Sequence, residues 1–428
     1  MIVETGGMLS PYRVLDLTDE KGLFCGKLLG DLGADVIKVE RPSGDPTRAI
    51  GPFYHDEPDP EKSLFWWAYN TSKRGVTLDI TRSEGQDIFR RLVQTADFVV
   101  ESFSPGYMDS LGLGYSVLEN INPRVIMVSI TPFGQTGPYR DFKGSDNVLW
   151  GMGGEMFPFG DADRPPVRIS HHSQAYLHAG IEAAVGAMIA LFYRQFAGEG
   201  QHVDVSIQES VAHRAHHVSG MWDMEHIIWP HGTGVTMAHQ PNIPVPGKEG
   251  LGRMGLWPCK DGYVTWIYWF GIQARSTNPV SIRWLQSLGL KDEWLIGFDA
   301  SGIYWADITP ELIDRILQPI MAVFMQYTKS ELLESALRQK VSLYPVSDAR
   351  DILYNSHRSH LEARGFWRTV EHPSVSESLT YPGAFARMST AAFRLMRAPT
   401  IGEHDEDVYV ELGINAAELN RLRQARVV

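Results

Sequence analysis

Cysteine is almost missing from this chain of 428 residues: Cys25 and Cys259 are the only two, and they lie far apart. That excludes a disulfide-stapled scaffold and a cysteine-based zinc site, both of which need spaced sets. With no leader-type stretch before Tyr12, a reducing cytoplasm is the expected home. Long hydrophobic runs are missing too. The most apolar stretch, residues 181–192, contains Glu182 and is expected to be too short to span a bilayer. No G-x-G-x-x-G turn opens the first helix, so the dinucleotide fingerprint is absent and dehydrogenase chemistry loses most of its support. No repeat or low-complexity tract stands out. Basic residues are outnumbered, 39 Lys and Arg against 51 Asp and Glu for a formal charge of −12, which argues against a general nucleic-acid binder. A polyanionic ligand would need a local basic patch. What remains, 43% hydrophobic and 21% charged, describes a soluble globular chain of about two domains.

In order along the chain, residues 12–18 (YRVLDLT) read as a strand, 21–32 as a helix stopped by Gly33, and 35–40 (DVIKVE) as a second strand. That spacing is a right-handed parallel crossover, the seed of a doubly wound sheet. Arg41 and Arg48 on the following RPSGDPTR loop are suited to gripping phosphates beyond the strand ends. Residues 65–78 (FWWAYNTSKRGVTL) interleave aromatics with Lys73 and Arg74 before another strand. A helix over 83–95, with Ser83 as a candidate cap, leads to strands at 96–101 and 124–130. The Gly-rich loop 131–139 and a helix beginning within 142–150, capped near Ser145 or Asp146, follow. Four strand–helix units thus converge on one rim. Residues 164–206 form the centre: a polar loop, a helix dense in Gly and Ala, a Gly198–Gly200 stop and a strand. The small residues suit burial against a sheet. The loop sets His171, His172, Ser173, Gln174 and Tyr176 at that helix's N-terminus, where N–H groups and the dipole favour developing negative charge.

The stretches VLDLT, LLGDLGADVIKVERPSGDPTR, NTSKRGVTLDI, VVESFSPGYMDSLGLGY, NPRVIMVSITPFGQTGPYRD, ALFYRQFAGEGQHVDVSIQES and RAPTIGEHDEDVYVELG resemble, in order and over nearly the whole length, the class III CoA-transferases. The resemblance implies an α/β fold: a large Rossmann-like domain with a parallel sheet, a smaller α+β domain, and two interlocked subunits. It also implies transfer of CoA from an acyl-CoA to a free carboxylic acid through an aspartate, whose acyl derivatives are activated. CoA and acyl-CoA are then substrates, with no covalently bound cofactor and no metal. The resemblance places Arg41 near the CoA nucleotide and Lys73 and Arg74 at the adenosine end. Arg140 and Lys143 share the stretch where a phosphate-facing lysine is expected, and Asp146 lies near the reacting centre. Two departures stand out. Ser110 replaces an arginine that helps hold CoA phosphate, and Tyr176 occupies the aspartate's place, four residues before Gly180. A phenol is largely protonated at neutral pH and an aryl ester does not mimic the anhydride. No Asp or Glu lies between Asp163 and Glu182.

Beyond Ser210, His213, His216, His217, His226, His231 and His239 lack the acidic or cysteine partners of a metal site. Residues 240–255 are a Pro/Gly-rich connector, and 257–269 read as a hairpin turning at Asp261-Gly262. The expected organisation is a large CoA-binding domain over 1–220, linker and small domain over 221–340, and a return to the large domain over 341–428. Trp222, Trp229, Trp257, Tyr263, Trp266, Tyr268 and Trp269 fit a small-domain core better than a bulky-acid site. Three functional readings stay open. One is a subunit without the aspartate, paired with a homologous chain that supplies it, as in two-subunit enzymes of the succinyl-CoA:benzylsuccinate CoA-transferase type. The others are a homodimeric transferase using Glu182 or a nearby carboxylate, and a CoA-ester binding protein without turnover. None involves nucleic acid or a membrane.

Overall fold

The structure, a computed structural model, describes residues 7–160, 165–168, 170, 172–214, 220, 222–224, 226, 228, 255–303, 308–354 and 356–428. The chain divides into two compact units, Met1–Gly154 with Ser170–Ala215 and Arg364–Val428, and Glu155–Ile169 with His216–Ala363.

The first unit is built on six parallel strands: β1 (Arg13–Leu17), β2 (Asp35–Glu40), β3 (Lys73–Thr77), β4 (Phe98–Glu101), β5 (Ile126–Thr131) and β6 (His202–Ser206). Their order is β3-β2-β1-β4-β5-β6. This is the doubly wound arrangement, whose topological switch lies between β1 and β4. Helices on both faces leave little strand surface to water, so β5 reads IMVSIT with every residue buried. The intervening helices are α1 (Leu23–Asp31), α2 (Leu64–Tyr69), α3 (Ser83–Val93), α4 (Tyr107–Ser110), α5 (Tyr115–Ile121), α6 (Asp146–Met152), α7 (Gln174–Ala197) and α8 (Ile207–Arg214). Two boundaries differ from the sequence reading. The helix expected from residue 21 starts at Leu23, because the Lys21 N–H is held by Asp19 Oδ1 at 3.1 Å in a turn. Ser83 is the first helical residue rather than the cap, since the preceding turn is closed by Thr81 N–H on Asp79 Oδ1 at 3.0 Å.

The central helix is longer than its apolar stretch implied. At 24 residues α7 is long and apolar enough, by length and composition, to cross a membrane. Its small-residue face, Ala179, Gly180, Ala183, Ala187 and Ala190, is buried. A Cβ on Gly180 would stand 2.9 Å from the Phe24 Cβ, so glycine is what lets α1 and α7 cross this closely. The larger residues Ile181, Val185, Ile189, Phe192 and Phe196 point outward and are 43–74% exposed. The expectation of burial thus holds for one face only. Near its end Arg194, 2% exposed, donates to Asp97 Oδ1 and the Arg124 carbonyl, both at 2.8 Å.

Three strands carry charges that close packing forces together. Asp16 of β1 is fully buried and meets the Lys73 ammonium at 2.8 Å and that of Lys38 at 3.9 Å. Lys73 also donates to the Leu23 carbonyl at 3.0 Å and Asn70 Oδ1 at 2.9 Å. Lys38 pairs with Asp45 at 3.0 Å and donates to the Thr18 carbonyl. Burial works against the Asp16 carboxylate, but Lys73 and Lys38 outweigh it and hold its pKa below the usual carboxylate range.

The second unit is smaller and mixed. Strands β7 (Leu256–Cys259) and β8 (Gly262–Thr265) form the expected hairpin, but its two-residue turn is Lys260-Asp261, one position earlier than the expected Asp261-Gly262, because Gly262 already pairs with Cys259. Strand β9 (Tyr344–Val346) pairs antiparallel with β8, so the chain returns to the first unit at Arg364 rather than near 341. Trp257, Trp266 and Tyr268 are buried in this unit's core, with Trp257 and Trp266 rings 5.4 Å apart. Those aromatics are packing residues. The 240–255 connector, apart from Gly255, lies outside the described residues, as do His171, His216, His217, Trp229, His231 and His239.

Replacing the Lys73 ammonium tests the buried network. Lys73→Met leaves Asp16 with the more distant Lys38 alone, and breaking such a pair costs about 3–5 kcal/mol. A urea unfolding midpoint unchanged from the parent chain would contradict this.

Candidate active site

In an open parallel sheet, ligands gather beyond the carboxyl ends of strands at the switch point. Here that point holds the turn after β1 and the end of β4. Asp19 receives the Ser102 hydroxyl on Oδ1 and gives its own N–H to Ser102 Oγ, both at 2.8 Å, which staples the two strand ends together. Thr18 is fixed by Asp16 Oδ1 at 2.9 Å through its N–H and 2.6 Å through its hydroxyl. Glu20 is thereby carried to the rim on a turn tied down from both sides.

Opposite stands the start of α7. Asp146, first residue of α6 and 4% exposed, accepts the Ala175 N–H on Oδ1 at 2.8 Å. A carboxylate therefore already occupies the positive end of a long helix, where the sequence reading expected a developing charge to be stabilised. Tyr176 follows, 6% exposed, its phenol hydrogen-bonded to the Asp146 backbone. Burial first, then the negative charges of Glu20 and Asp146, raise its pKa well above the usual phenol value. It is a neutral hydroxyl at any ordinary pH. Partial burial and the adjoining Asp19 also push the Glu20 carboxyl above its usual range.

Above Tyr176 opens a cavity of about 460 Å³. Leu23, Phe24, Ile50, Pro52, Leu64, Phe65, Ala68, Tyr69 and Leu177 form its walls, with Glu20, His172, Ser173 and Tyr176 as its polar contributors. All belong to the first unit.

The other predicted residues scatter along the rim or fall inside the fold. Arg41 is exposed beside a small cleft that includes Val39, Phe103 and Tyr107, beyond the ends of β2 and β4. Arg140 and Lys143 are exposed, Arg140 lying 3.3 Å from Asp141. Ser110 is exposed and caps the Tyr107 carbonyl at 2.7 Å. Arg48 does not join Arg41 as a phosphate grip: it is held bidentately by Glu40 at 2.6 and 2.8 Å and stacks 3.7 Å above Trp66. Lys73 is 1% exposed with three acceptors around its three N–H bonds, and Arg74 pairs with Asp35 and Glu411. In this chain both members of that basic pair act within the fold. Glu182 lies two turns along α7, 3.4 Å from His213, and does not line the cavity. Among the described residues, no group of three or more His, Cys, Asp or Glu could hold a metal.

Sequence reasoning flagged the aromatics that begin at Phe65 but did not bring Phe24 of α1 beside Phe65 and Tyr69 of α2, nor Glu20 into one cavity with them. The two helices are far apart in sequence, so spacing gave no signal. Glu20 carried one, a carboxylate just after a strand that ends at a switch point. A further buried carboxyl, Glu101 at the end of β4, is pushed up to about 7 by desolvation, against hydrogen bonds from Ser129 and the Phe103 N–H.

A family profile described as CoA-transferase family III matches residues 9–405. The chain is 37% identical to the succinyl-CoA:(R)-benzylsuccinate CoA-transferase subunit BbsE of Thauera aromatica, over 97% of each chain. It is 41% identical to the succinate–glutarate CoA-transferase of Agrobacterium fabrum, over 94% of this chain and 95% of that one. A crystal structure of a CAIB/BAIF family protein from Brucella suis superposes with a TM-score of 0.77 at 28% identity, covering 95% of this chain and 100% of the other.

The Tyr176 environment makes a spectroscopic prediction. Because its pKa is raised, Tyr176 adds no tyrosinate absorbance at pH about 10, near the ordinary phenol value. In the red-shifted tyrosinate band, folded Tyr176→Phe and parent protein should gain the same absorbance between neutral pH and that pH. A smaller gain in the variant would show an ionised phenol and overturn the site's electrostatics.

Proposed function

Because this chain belongs to the family III CoA-transferases, we propose that it is the subunit of a heteromeric CoA-transferase that lacks the catalytic aspartate and completes the fold around a homologous chain that carries it. The reaction moves CoA from an acyl-CoA, of the succinyl-CoA type, to a carboxylic acid, in the cytoplasm. The carrying observation is that Tyr176 is a buried and un-ionised phenol at the cavity; the sequence resemblance puts it in the place of the family's aspartate. A neutral phenol among three carboxyl groups cannot supply the activated acyl carboxylate of the transfer. The name of the Thauera relative, a subunit, supports a heteromer. So does the apolar outer face of α7, where Ile181, Val185, Ile189, Phe192 and Phe196 form a stripe that a monomer would leave in water. An interlocked pair of chains would cover it. Arg41, Arg140 and Lys143 remain the candidates for the CoA nucleotide and phosphates, all three exposed on the first unit.

A second reading, a homodimer working through another carboxylate, is favoured by one observation. Glu20 lines the Tyr176 cavity and engages no ion-pair partner among the described residues. It takes the place Glu182 held in the sequence reading, since Glu182 stands away from the cavity beside His213. A CoA-ester binding protein without turnover is the remaining alternative.

Native mass spectrometry of the untagged complex from its own host separates these. Co-isolation with a homologous chain bearing the aspartate is expected, and Tyr176→Asp should raise the CoA exchange of this chain by itself at least about tenfold. A homodimer that turns over, with a hydroxylamine-trapped acyl adduct on Glu20, would overturn the subunit reading and establish the second.

A further inference from the structure

The cavity above Tyr176 combines an aromatic wall with a negative mouth. Phe65 and Tyr69 rings lie 4.7 Å apart, and Phe24 meets Tyr69 edge-on at 6.1 Å, so three rings from two helices line one side. Its volume, about 460 Å³, suits a ligand portion of phenyl-bearing size. No lysine or arginine lines it, whereas Glu20 does and Asp146 lies buried beneath. A free carboxylate entering here would meet the like charge of Glu20, whose neighbour Lys21 is already paired with Asp19. A thioester presents the same acyl group uncharged. Tyr176, unable to attack, leaves such an ester intact.

Resting on the reading of this chain as a subunit without the nucleophile, we propose that the cavity is a retained binding site for the apolar, aryl-bearing acyl group of a CoA thioester, which it holds without cleaving and prefers over the free acid. An assembled pair then has two thioester sites, of which one reacts. The aromatic wall sets the preference for a ring over a short acyl chain, and Glu20 sets the rejection of the acid.

Calorimetric titration of the intact complex tests this with two unreactive thioethers, 3-phenylpropyl-CoA and ethyl-CoA, and with 3-phenylpropanoate. Because the CoA moiety is common, the two thioethers compare acyl groups alone. Phenylpropyl-CoA is expected to fill two sites per pair of chains. At the site removed by Ala68→Trp, an exposed position at the cavity mouth, it should bind at least about tenfold more tightly than ethyl-CoA. Phenylpropanoate should not compete there, and Glu20→Gln should let it do so. Unchanged stoichiometry in Ala68→Trp, equal affinity for the two thioethers, or competition by the acid in the parent complex would each overturn the proposal. If the isolated complex proves to hold only copies of this chain and turns over, the subunit reading fails, yet the Ala68-dependent ring preference still decides what the cavity binds.

Discussion

The contact between Asp16 and Lys73, 2.8 Å apart and out of reach of water, is the constraint on which the rim of the sheet depends. Asp16 sits in β1 and Lys73 opens β3, with Lys38 of β2 between them in the sheet. Two buried cations and the carboxylates of Asp16 and Asp45 can stay charged inside a protein only when each faces another. Their partners are the backbone of the site. Asp16 and Lys38 together fix Thr18, and Lys73 fixes the Leu23 carbonyl at the start of α1. The turn that presents Glu20 is suspended between those two anchors. Lys73 and Arg74, which the resemblance places at the adenosine end, are held by contacts within the fold.

Small residues do the corresponding work on the other side. The α7 face that meets α1 is alanine and glycine, and this brings Phe24 of α1 close to Tyr176 and Leu177 at the α7 start. A bulkier residue at 180 would push the helices apart and open the cavity. The cost of putting small residues inward is that the large ones face outward, which leaves an apolar stripe. One sequence pattern therefore accounts for both the tight cavity wall and the apolar stripe on the outside.

Much of the scaffold was legible. Short apolar runs between turn residues gave the strands of the large sheet to within a few residues, because parallel strands buried on both faces have little freedom in composition. The β7–β8 hairpin was legible to within one position from its local turn residues. What could not be read was pairing across long separations. Nothing near residue 48 says that Glu40 and Trp66 enclose its guanidinium, and nothing near 344 says that β9 joins β8. Helix α7 was read as buried because it is dense in glycine and alanine, and that reading holds for the small-residue face. Which face points inward is decided by steric fit to α1, and apolar spacing alone does not say that Ile181, Val185 and Ile189 face outward.

A tyrosine at position 176 also decides what the rest of the site is suited to. With Asp19, Glu20 and Asp146 around it, a further carboxylate there would add a fourth negative group to a poorly screened pocket, and its own pKa would rise. Tyrosine relieves that repulsion, fills the volume with a ring that continues the aromatic wall, and keeps a hydroxyl against the Asp146 backbone. The helix N-terminus, which in a reacting site would stabilise an anion, is instead spent on the Asp146 carboxylate through Ala175. Each of these features favours a neutral, apolar occupant over an anionic one. That direction is the same for the phenol, for Glu20 and for the helix end.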